Sequence, residues 1–448
     1  MRSLATCLLL AVTAVLPAAA APNFLIILAD DLGYGDLGSY RPGGDARTPH
    51  LDRLAAEGMR FTGMRSNCTV CSPARAALLT GRHPDRVGVP GVIRTQPANS
   101  WGHLAPGVPT LADLLRPAGY HTAIVGKWHL GLEAPNLPND RGFDFFHGFL
   151  GDMMDSYTTH LRHGQNYLRR DRAVIEAPGH ATDLFTTWAC DYLRGRAKTG
   201  KPFFLYLAYN APHSPIEPPA EWVARVKARD PGIPDARAAT LALIEHMDDG
   251  IGRVLSVLRE TGLEKDTLVA FSSDNGGSLQ HANNNQPWRD GKQSHYDGGL
   301  RVPFIVRWPA AVKPGAENTY AGQTFDLFAT CLQAAARPVP ATIDAVSLLP
   351  MLRGQPPPSA ERELYFVRRE GGPAYGGRDY HALIRGDWKL LQNSPYAPLE
   401  LYNLRDDPGE RTNLFATNQK LARELQARLA LQIQRGGAVP WQPNSAAR

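Results

Sequence analysis

Five short apolar runs punctuate the chain, and each ends abruptly in polar residues. They are Phe24-Leu25-Ile26-Ile27-Leu28, Thr122-Ala123-Ile124-Val125, Phe203-Phe204-Leu205-Tyr206-Leu207-Ala208, Leu268-Val269-Ala270-Phe271 and Phe304-Ile305-Val306. Unbroken runs of this length mark strands covered on both faces, as in a parallel sheet. Between them the period becomes helical. Residues 235–260 carry Leu241, Ile244, Met247, Ile251, Val254 and Leu258 along one stripe, with Gly262 as terminator. Residues 48–58 open on Thr48-Pro49 and stop at Gly58, and 110–117 and 183–196 read as further helices. Strands alternating with helices predict an α/β fold, a large and mostly parallel sheet sandwiched by helices.

Two stretches break this rhythm. Residues 135–179 are rich in Gly, Asp, His and aromatics without a sustained period, and read as a loop-heavy cleft wall. Near residue 340 the punctuation turns Pro-rich; short strands follow around 363–368, 381–384 and 388–391, then a helix over 419–434. The expected division is a main domain over 21–340 and a small C-terminal α+β subdomain over 341–448.

Residues 1–20 have the layout of a secretory signal: Arg2, an apolar core from Leu8 to Leu16, and Ala18-Ala19-Ala20 as the cleavage site. That core is too short for a permanent span, and no later stretch reaches the required length. An exported protein, periplasmic or extracellular and without a membrane anchor, is expected. Cysteines 68, 71, 190 and 331 remain after cleavage, too sparse for a disulfide framework. The formal charge of +5 suits an anionic substrate, and without a Lys/Arg block it gives no case for nucleic acid.

The chemistry collects where strands end. The apolar runs lead into Asp30-Asp31, Lys127 with His129, His213, and Asp274-Asn275. Each could be an ordinary turn or a solvated charge. In an open parallel sheet, however, the carboxyl ends of the strands share one edge, where ligands bind, so a single cleft accounts for all four. Its carboxylates and amide are hard oxygen ligands, suited to calcium or magnesium over zinc. Arg75, Lys127 and Lys292 could grip a sulfate or phosphate, and His129 and His213 could move protons near neutrality.

A further stretch completes the set: Cys71-Ser72-Pro73-Ala74-Arg75, continuing to Leu79-Thr80-Gly81-Arg82. Ser72 reads as an N-cap and Pro73 as the first helical residue, which puts Cys71 at a helix N-terminus. A thiol there is expected to be acidic and reactive. The plainer readings are a buried small hydrophobe, or a zinc or redox pair with Cys68. The Gly33-Tyr34-Gly35-Asp36-Leu37-Gly38 stretch matches a dinucleotide-binding pattern, but two acids precede it and Arg41-Pro42-Gly43-Gly44 bars an immediate long helix.

Cys71-X-Pro73-X-Arg75 with its Leu-Thr-Gly-Arg helix end resembles the signature of the sulfatase family, within the alkaline phosphatase superfamily. The resemblance extends to the blocks at 29–38, 126–131, 270–276, 291–299, 344–354 and 401–414, and is strongest to the arylsulfatase A and N-acetylgalactosamine-6-sulfatase branch. It implies hydrolysis of a sulfate ester, an aryl sulfate or a sulfated carbohydrate, with release of inorganic sulfate. It implies that Cys71 is converted to formylglycine by a formylglycine-generating enzyme, and that one Ca2+ is held by Asp30, Asp31, Asp274 and Asn275 with the modified Cys71 nearby. Arg75 would steady the formylglycine, Lys127 and Lys292 would bind sulfate oxygens, and His129 and His213 would flank the ester. On this reading Asp274 helps activate the nucleophile, His213 protonates the leaving alcohol, and His129 assists release of sulfate. Residues 140–157 and 277–291 show no clear counterpart. The rivals are a phosphodiesterase or phosphonate monoester hydrolase of the same superfamily, and a catalytically dead exported glycan-binding protein.

Overall fold

The computed structural model describes residues 21–96, 102–357, 362–370, 375 and 378–440, so the signal-like segment lies outside the described residues. Twelve strands belong to the main unit. They are β1 (Asn23–Ala29), β2 (Met59–Phe61), β3 (His121–Lys127), β4 (Phe145–Phe149), β5 (Leu161–Arg162), β6 (Gln165–Asn166), β7 (Leu168–Arg170), β8 (Ala173–Val174), β9 (Phe203–Ala208), β10 (Thr267–Ser273), β11 (Phe304–Arg307) and β12 (Ala316–Asn318). Ten of them form one sheet in the order β12-β2-β11-β10-β1-β9-β3-β4-β7-β8, while β5 and β6 make a separate ribbon.

The five central strands, β10-β1-β9-β3-β4, are parallel throughout. The flanks are mixed. β11 runs antiparallel to both β10 and β2, and β7 runs antiparallel to β4. The apolar run at 304–306 is therefore a strand as expected, but of opposite direction. Its hydrophobicity reports burial, which does not encode direction. Residues 135–179, expected to be loop-heavy, also supply β4, a full member of the parallel centre that was not foreseen. His147 and Gly148 interrupt its Phe145-Phe146-His147-Gly148-Phe149 run and hide the strand.

The reason for unbroken runs is visible in the layers. Phe24, Ile26 and Leu28 of β1 face one apolar cluster, while Leu25, Ile27 and Ala29 face the other. Both faces are covered, so each second residue is apolar on either side. The first face is closed by Ala76, Leu78 and Leu79 of the helix Cys71–Thr80 and by the helix Asp326–Ala334. The second is closed by Ile244, Met247, Ile251, Val254 and Leu258 of the helix Asp235–Glu260, with the helix Ala181–Ala197 beside it.

The C-terminal part is a four-stranded antiparallel sheet, β13 (Glu363–Arg369), β14 (Asp379–Arg385), β15 (Trp388–Gln392) and β16 (Glu400–Asn403), in sequential order. One face packs Tyr365, Val367, Leu383 and Leu390 against Ala422, Leu425 and Leu429 of the helix Gln419–Gly436. The other packs Leu364, Phe366 and Ile384 against Tyr296 and Leu300 of the main unit. Below that contact lies a buried ion network. Asp297 accepts from Arg65 Nη2 at 2.6 Å, Lys389 Nζ at 2.8 Å and Arg301 Nε at 2.9 Å, and Lys389 reaches Glu410 at 2.8 Å. No helix among the described residues is long and apolar enough to cross a membrane.

Candidate active site

Because β1, β3, β9 and β10 run in one direction, their carboxyl ends open on the same edge. Asp30 and Asp31 follow β1, Lys127 ends β3, His213 lies beyond β9, and Asp274-Asn275 follow β10. The backbone ties these ends together, with Asp30 N–H donating to Ala211 O and Asp274 N–H to Ala29 O. Asp31 leaves the strand at φ 67°, which turns its side chain out of the sheet register.

Cys71 is delivered from the first sheet face. It is the first residue of its helix, whose N-cap is Val70 in extended conformation. Ser72 is not the cap: its Oγ accepts from Ile93 N–H at 3.0 Å and pins the 92–96 segment over the site. Gly81 ends the helix in the left-handed region, as expected.

The side chains interlock. Cys71 Sγ lies 3.3 Å from Asp30 Oδ1, and Lys127 Nζ lies 2.5 Å from Asp30 Oδ2. Arg75 donates to Asp274 Oδ2 from both Nε and Nη2, at 3.0 and 2.8 Å. Lys292 Nζ reaches Asp31 Oδ2 at 2.6 Å, and His213 Nε2 stands 3.6 Å from the same oxygen. Asn275 Nδ2 donates to Asp31 Oδ1 at 2.7 Å, while Asn275 Oδ1 is buried with no partner. His129, at φ 59°, sets Nε2 against the carbonyl of Ile93 at 2.5 Å. A carbonyl can only accept, so that nitrogen carries the proton and the buried, unpartnered Nδ1 keeps a lone pair.

Charge is unevenly shared among the acids. Burial opposes ionisation of Asp30, but Lys127, His213 and Arg75 outweigh it and hold the carboxyl well below the usual range. Asp31 is likewise lowered, against burial, by Lys292 and His213. Asp274 goes the other way: burial and the neighbouring Asp30 push it up to about 7 despite Arg75. Of the three acids, Asp274 alone is left short of positive charge by its side-chain partners. Asp30, Asp31, Cys71 and His213 can bring ligand atoms within 4.8 Å of one another, and the orphaned Asn275 oxygen and the underneutralised Asp274 adjoin them. Oxygen donors in this number fit a hard cation.

The expectation of an acidic thiol is corrected. Burial first, and then the charge of Asp30, push Cys71 well above the ordinary thiol range. Burial and the adjacent carboxylate together outweigh the helix terminus. The zinc or redox pair is also unsupported, since all four described cysteines are free and Cys68 turns its thiol to Val367 O at 3.2 Å. The glycines at 33–38 serve packing instead of a nucleotide. Tyr34–Asp36 is a single 3-10 turn, and a Cβ on Gly33 would collide with the Asn284 carbonyl.

All ten expected residues come together, in two tiers. Asp31, Cys71, His129, His213 and Lys292 line a cleft of about 530 Å³. Asp30, Arg75, Lys127, Asp274 and Asn275 form a buried floor beneath them. Sequence reasoning missed the clamp made by Asn285, whose amide accepts from Gly277 N–H and donates to Gly277 O, both at 2.8 Å, fixing the turn after Asn275. It also missed Tyr157, whose hydroxyl meets the carbonyls of Asn210 and His213 at 2.8 Å, and the cleft residues Arg94, Asp152, Arg162, Arg368 and Tyr375. Those come from loops, from the β5–β6 ribbon and from the β13 strand and the segment after it, where no local pattern marks them.

Comparison with known proteins agrees with this geometry. Residues 22–336 match the Sulfatase family and 285–436 match the C-terminal region of N-sulphoglucosamine sulphohydrolase. The chain is 32% identical to rat (Rattus norvegicus) N-acetylgalactosamine-6-sulfatase, over 94% of this chain and 87% of the relative. It is 33% identical to bovine (Bos taurus) arylsulfatase A, over 95% and 90%. Among solved structures, Ps i-CgsB in complex with k-i-k-neocarrahexaose superposes with a TM-score of 0.86 at 27% identity, covering 95% of this chain and 96% of that one. With its strand-end acids, its buried cations and the Cys71 helix placed as described, the chain belongs to the sulfatase family, whose members are sulfuric ester hydrolases.

Proposed function

We propose that this protein hydrolyses the sulfate ester of a sulfated carbohydrate, with formylglycine at position 71 and one Ca2+ on the buried floor. The observation that carries the reading is the setting of Cys71: its Sγ is 3.3 Å from Asp30 Oδ1, with Lys127 on the other oxygen of that carboxylate and Lys292 on Asp31. Cation-bound acids and a side chain at the mouth of a helix are what attack on a charged ester requires. The names of the relatives, which include an N-acetylgalactosamine-6-sulfatase, support a sugar as the alcohol.

Asp30, Asp31, Asp274 and Asn275 would hold the calcium, which when bound offsets the acids and withdraws charge from the ester oxygens. Hydrated formylglycine at 71 would supply two hydroxyls on one carbon, one to attack sulfur and one to let sulfate leave. The remaining work falls to side chains that the structure shows. Arg75, fixed on Asp274, steadies position 71 from below. Lys292, on the cleft wall, and Lys127, behind Asp30, place positive charge where the sulfate oxygens must lie. His213 is fixed by its Nδ1, 2.7 Å from Ser214 O, and offers Nε2 to the departing alcohol oxygen. Burial and Lys292 lower its pKa, so the resting ring is neutral with its lone pair on Nε2; it donates to the alcohol oxygen only after taking up a proton there, and is then a stronger acid than a free imidazolium. His129, held neutral by burial and by Lys127 and Arg75, keeps an Nδ1 lone pair that can accept the second hydroxyl's proton.

Residues 1–20 are proposed as an export signal, and maturation would require a formylglycine-generating enzyme in the producing cell. The test is a rate comparison on 4-nitrophenyl sulfate and a nitrophenyl phosphate diester. Faster sulfate release is expected, and a preference for the diester would move the protein to its phosphodiesterase relatives.

A further inference from the structure

Beyond Asp31, Cys71, His129, His213 and Lys292, the cleft has two stretches of charged lining with different balance. One has no positive excess. Arg162 donates to Asp152 from Nε at 3.0 Å and from Nη2 at 3.3 Å, and its Nη1 reaches Asp155 at 3.0 Å. One guanidinium there meets two carboxylates, so the stretch has no positive charge to spare.

The other stretch, next to Lys292, is in positive excess. Glu370 bridges two guanidiniums: Oε1 accepts from Arg368 at 3.0 Å and Oε2 from Arg94 at 2.9 Å. Arg94 also lies over the Tyr375 ring at 3.9 Å, with Arg378 over the same ring at 5.4 Å. Both Arg368 and Arg378 converge on Gln293, on its carbonyl at 3.1 Å and its side-chain oxygen at 3.4 Å. Arg94, Gln293, Arg368 and Tyr375 all line the cleft. The nearby Arg369 is already paired with Asp379 at 3.1 Å, which also meets His381 at 2.7 Å. Among the described residues, Glu370 is the one carboxylate shown on Arg94 and Arg368, and Arg378 stands beside them on the Tyr375 ring. The short segments flanking this patch in sequence, 97–101, 371–374 and 376–377, contain no acidic residue to balance it.

We propose that this patch is a second oxyanion subsite, which binds a carboxylate or a further sulfate on the sugar next to the one losing its sulfate. The substrate class is then a glycan charged on neighbouring residues, and the subsite is built jointly by the 92–96 segment, the residue after Lys292 and the C-terminal sheet. The inference rests on the sulfate-ester reading above and extends it. The Tyr375 ring packs against Arg94 and Arg378, while Glu370 ties Arg94 to Arg368.

The experiment compares kcat/KM for a sulfated disaccharide whose neighbouring sugar is a uronate with that for its uncharged methyl ester, and with that for a neighbour carrying a second sulfate. The wild-type protein is expected to favour the charged neighbour by about tenfold, the worth of one charge-assisted hydrogen bond. The larger ratio of the two charged substrates identifies the anion. In Arg94→Ala and Arg378→Glu the charged-to-uncharged ratio should fall towards one. Because it is a ratio, any general loss of turnover cancels. A wild-type ratio of one, or a ratio unchanged in both variants, overturns the subsite and leaves the sulfatase reading standing. If no sulfate ester is turned over at all, the sulfatase reading fails instead. Calorimetric binding of the unsulfated uronate and its methyl ester then decides the subsite alone, about tenfold tighter binding of the acid supporting it and equal affinity overturning it.

Discussion

Asn275 gives its amide nitrogen to Asp31 Oδ1 at 2.7 Å and leaves its own oxygen buried and unpartnered. Turning the amide over would only set two oxygens against each other, so a polar atom is left unsatisfied in either orientation. A cation resolves both arrangements, since the amide oxygen and the carboxylates can share it. Added calcium is therefore expected to raise the thermal midpoint of chelator-stripped protein and to restore its activity. Asn275→Ala should weaken calcium binding in a calorimetric titration by on the order of tenfold or more. A midpoint indifferent to calcium would remove the metal from the scheme.

How far the site could be read in advance depends on what each residue's neighbours in sequence reveal. Asp30-Asp31 and Asp274-Asn275 were legible because an unbroken apolar run points straight at them, and parallel strands have only one carboxyl edge. Arg75 and Cys71 were legible because Pro73 and Gly81 bound a helix between them. Strand direction was not: Phe304–Arg307 is as apolar as β1 yet runs the other way. Nor was β4, whose His147 stacks on Trp188 at 3.5 Å between ring centroids, a polar residue covered by a partner far away in sequence. Arg368 and Tyr375 reach the cleft only because Leu364 and Phe366 dock the C-terminal sheet beside Tyr296 and Leu300, a tertiary contact with no local signature.

That docking makes its own prediction. Asp297 is buried with Arg65, Arg301 and Lys389 around it, and it is the one carboxylate that meets all three, Glu410 reaching Lys389 as well. Against burial, those cations hold its carboxyl well below the usual range. Asp297→Ala would strand them, at a cost of about 3–5 kcal/mol. Urea unfolding should show the loss. A decrease below about 1 kcal/mol would mean that the apolar contact alone anchors the C-terminal sheet.

Acid should destabilise the protein through its buried histidines. His83 packs edge-on against Phe325 and Tyr365, and burial holds its pKa down to about 3. The unfolded chain takes up that proton near pH 6.5 and the folded chain does not, so the stabilisation is complete above pH 6.5 and is lost as the pH falls towards 3. Between pH 7.5 and 5.5, His83 alone should account for about 1.4 kcal/mol of lost stability. His83→Phe should shrink the difference between the two pH values by that amount, whatever it does to stability at either one. An unchanged difference would show that His83 is protonated in the folded state.

Cys71 carries the last prediction, because the structure makes the unmodified thiol a poor nucleophile. Burial and the charge of Asp30 hold it protonated, and it is only 4% exposed. Any unconverted fraction should resist iodoacetamide at pH 8 in the folded protein and react readily in denaturant. On the proposed reading the catalytic group comes instead from oxidation of this thiol. The peptide containing residue 71 should show sulfur exchanged for oxygen with loss of two hydrogens, and activity should track the converted fraction across preparations. Cys71→Ser is the sharper test. A serine can attack once but has no second hydroxyl on the same carbon, so it should either accumulate a sulfated enzyme or remain inactive. Cys71→Ala should be inactive yet fold normally, since a side chain this small at a helix N-terminus leaves little cavity. Repeated turnover by Cys71→Ser, made in a host that cannot oxidise serine, would show that the residue acts without formylglycine.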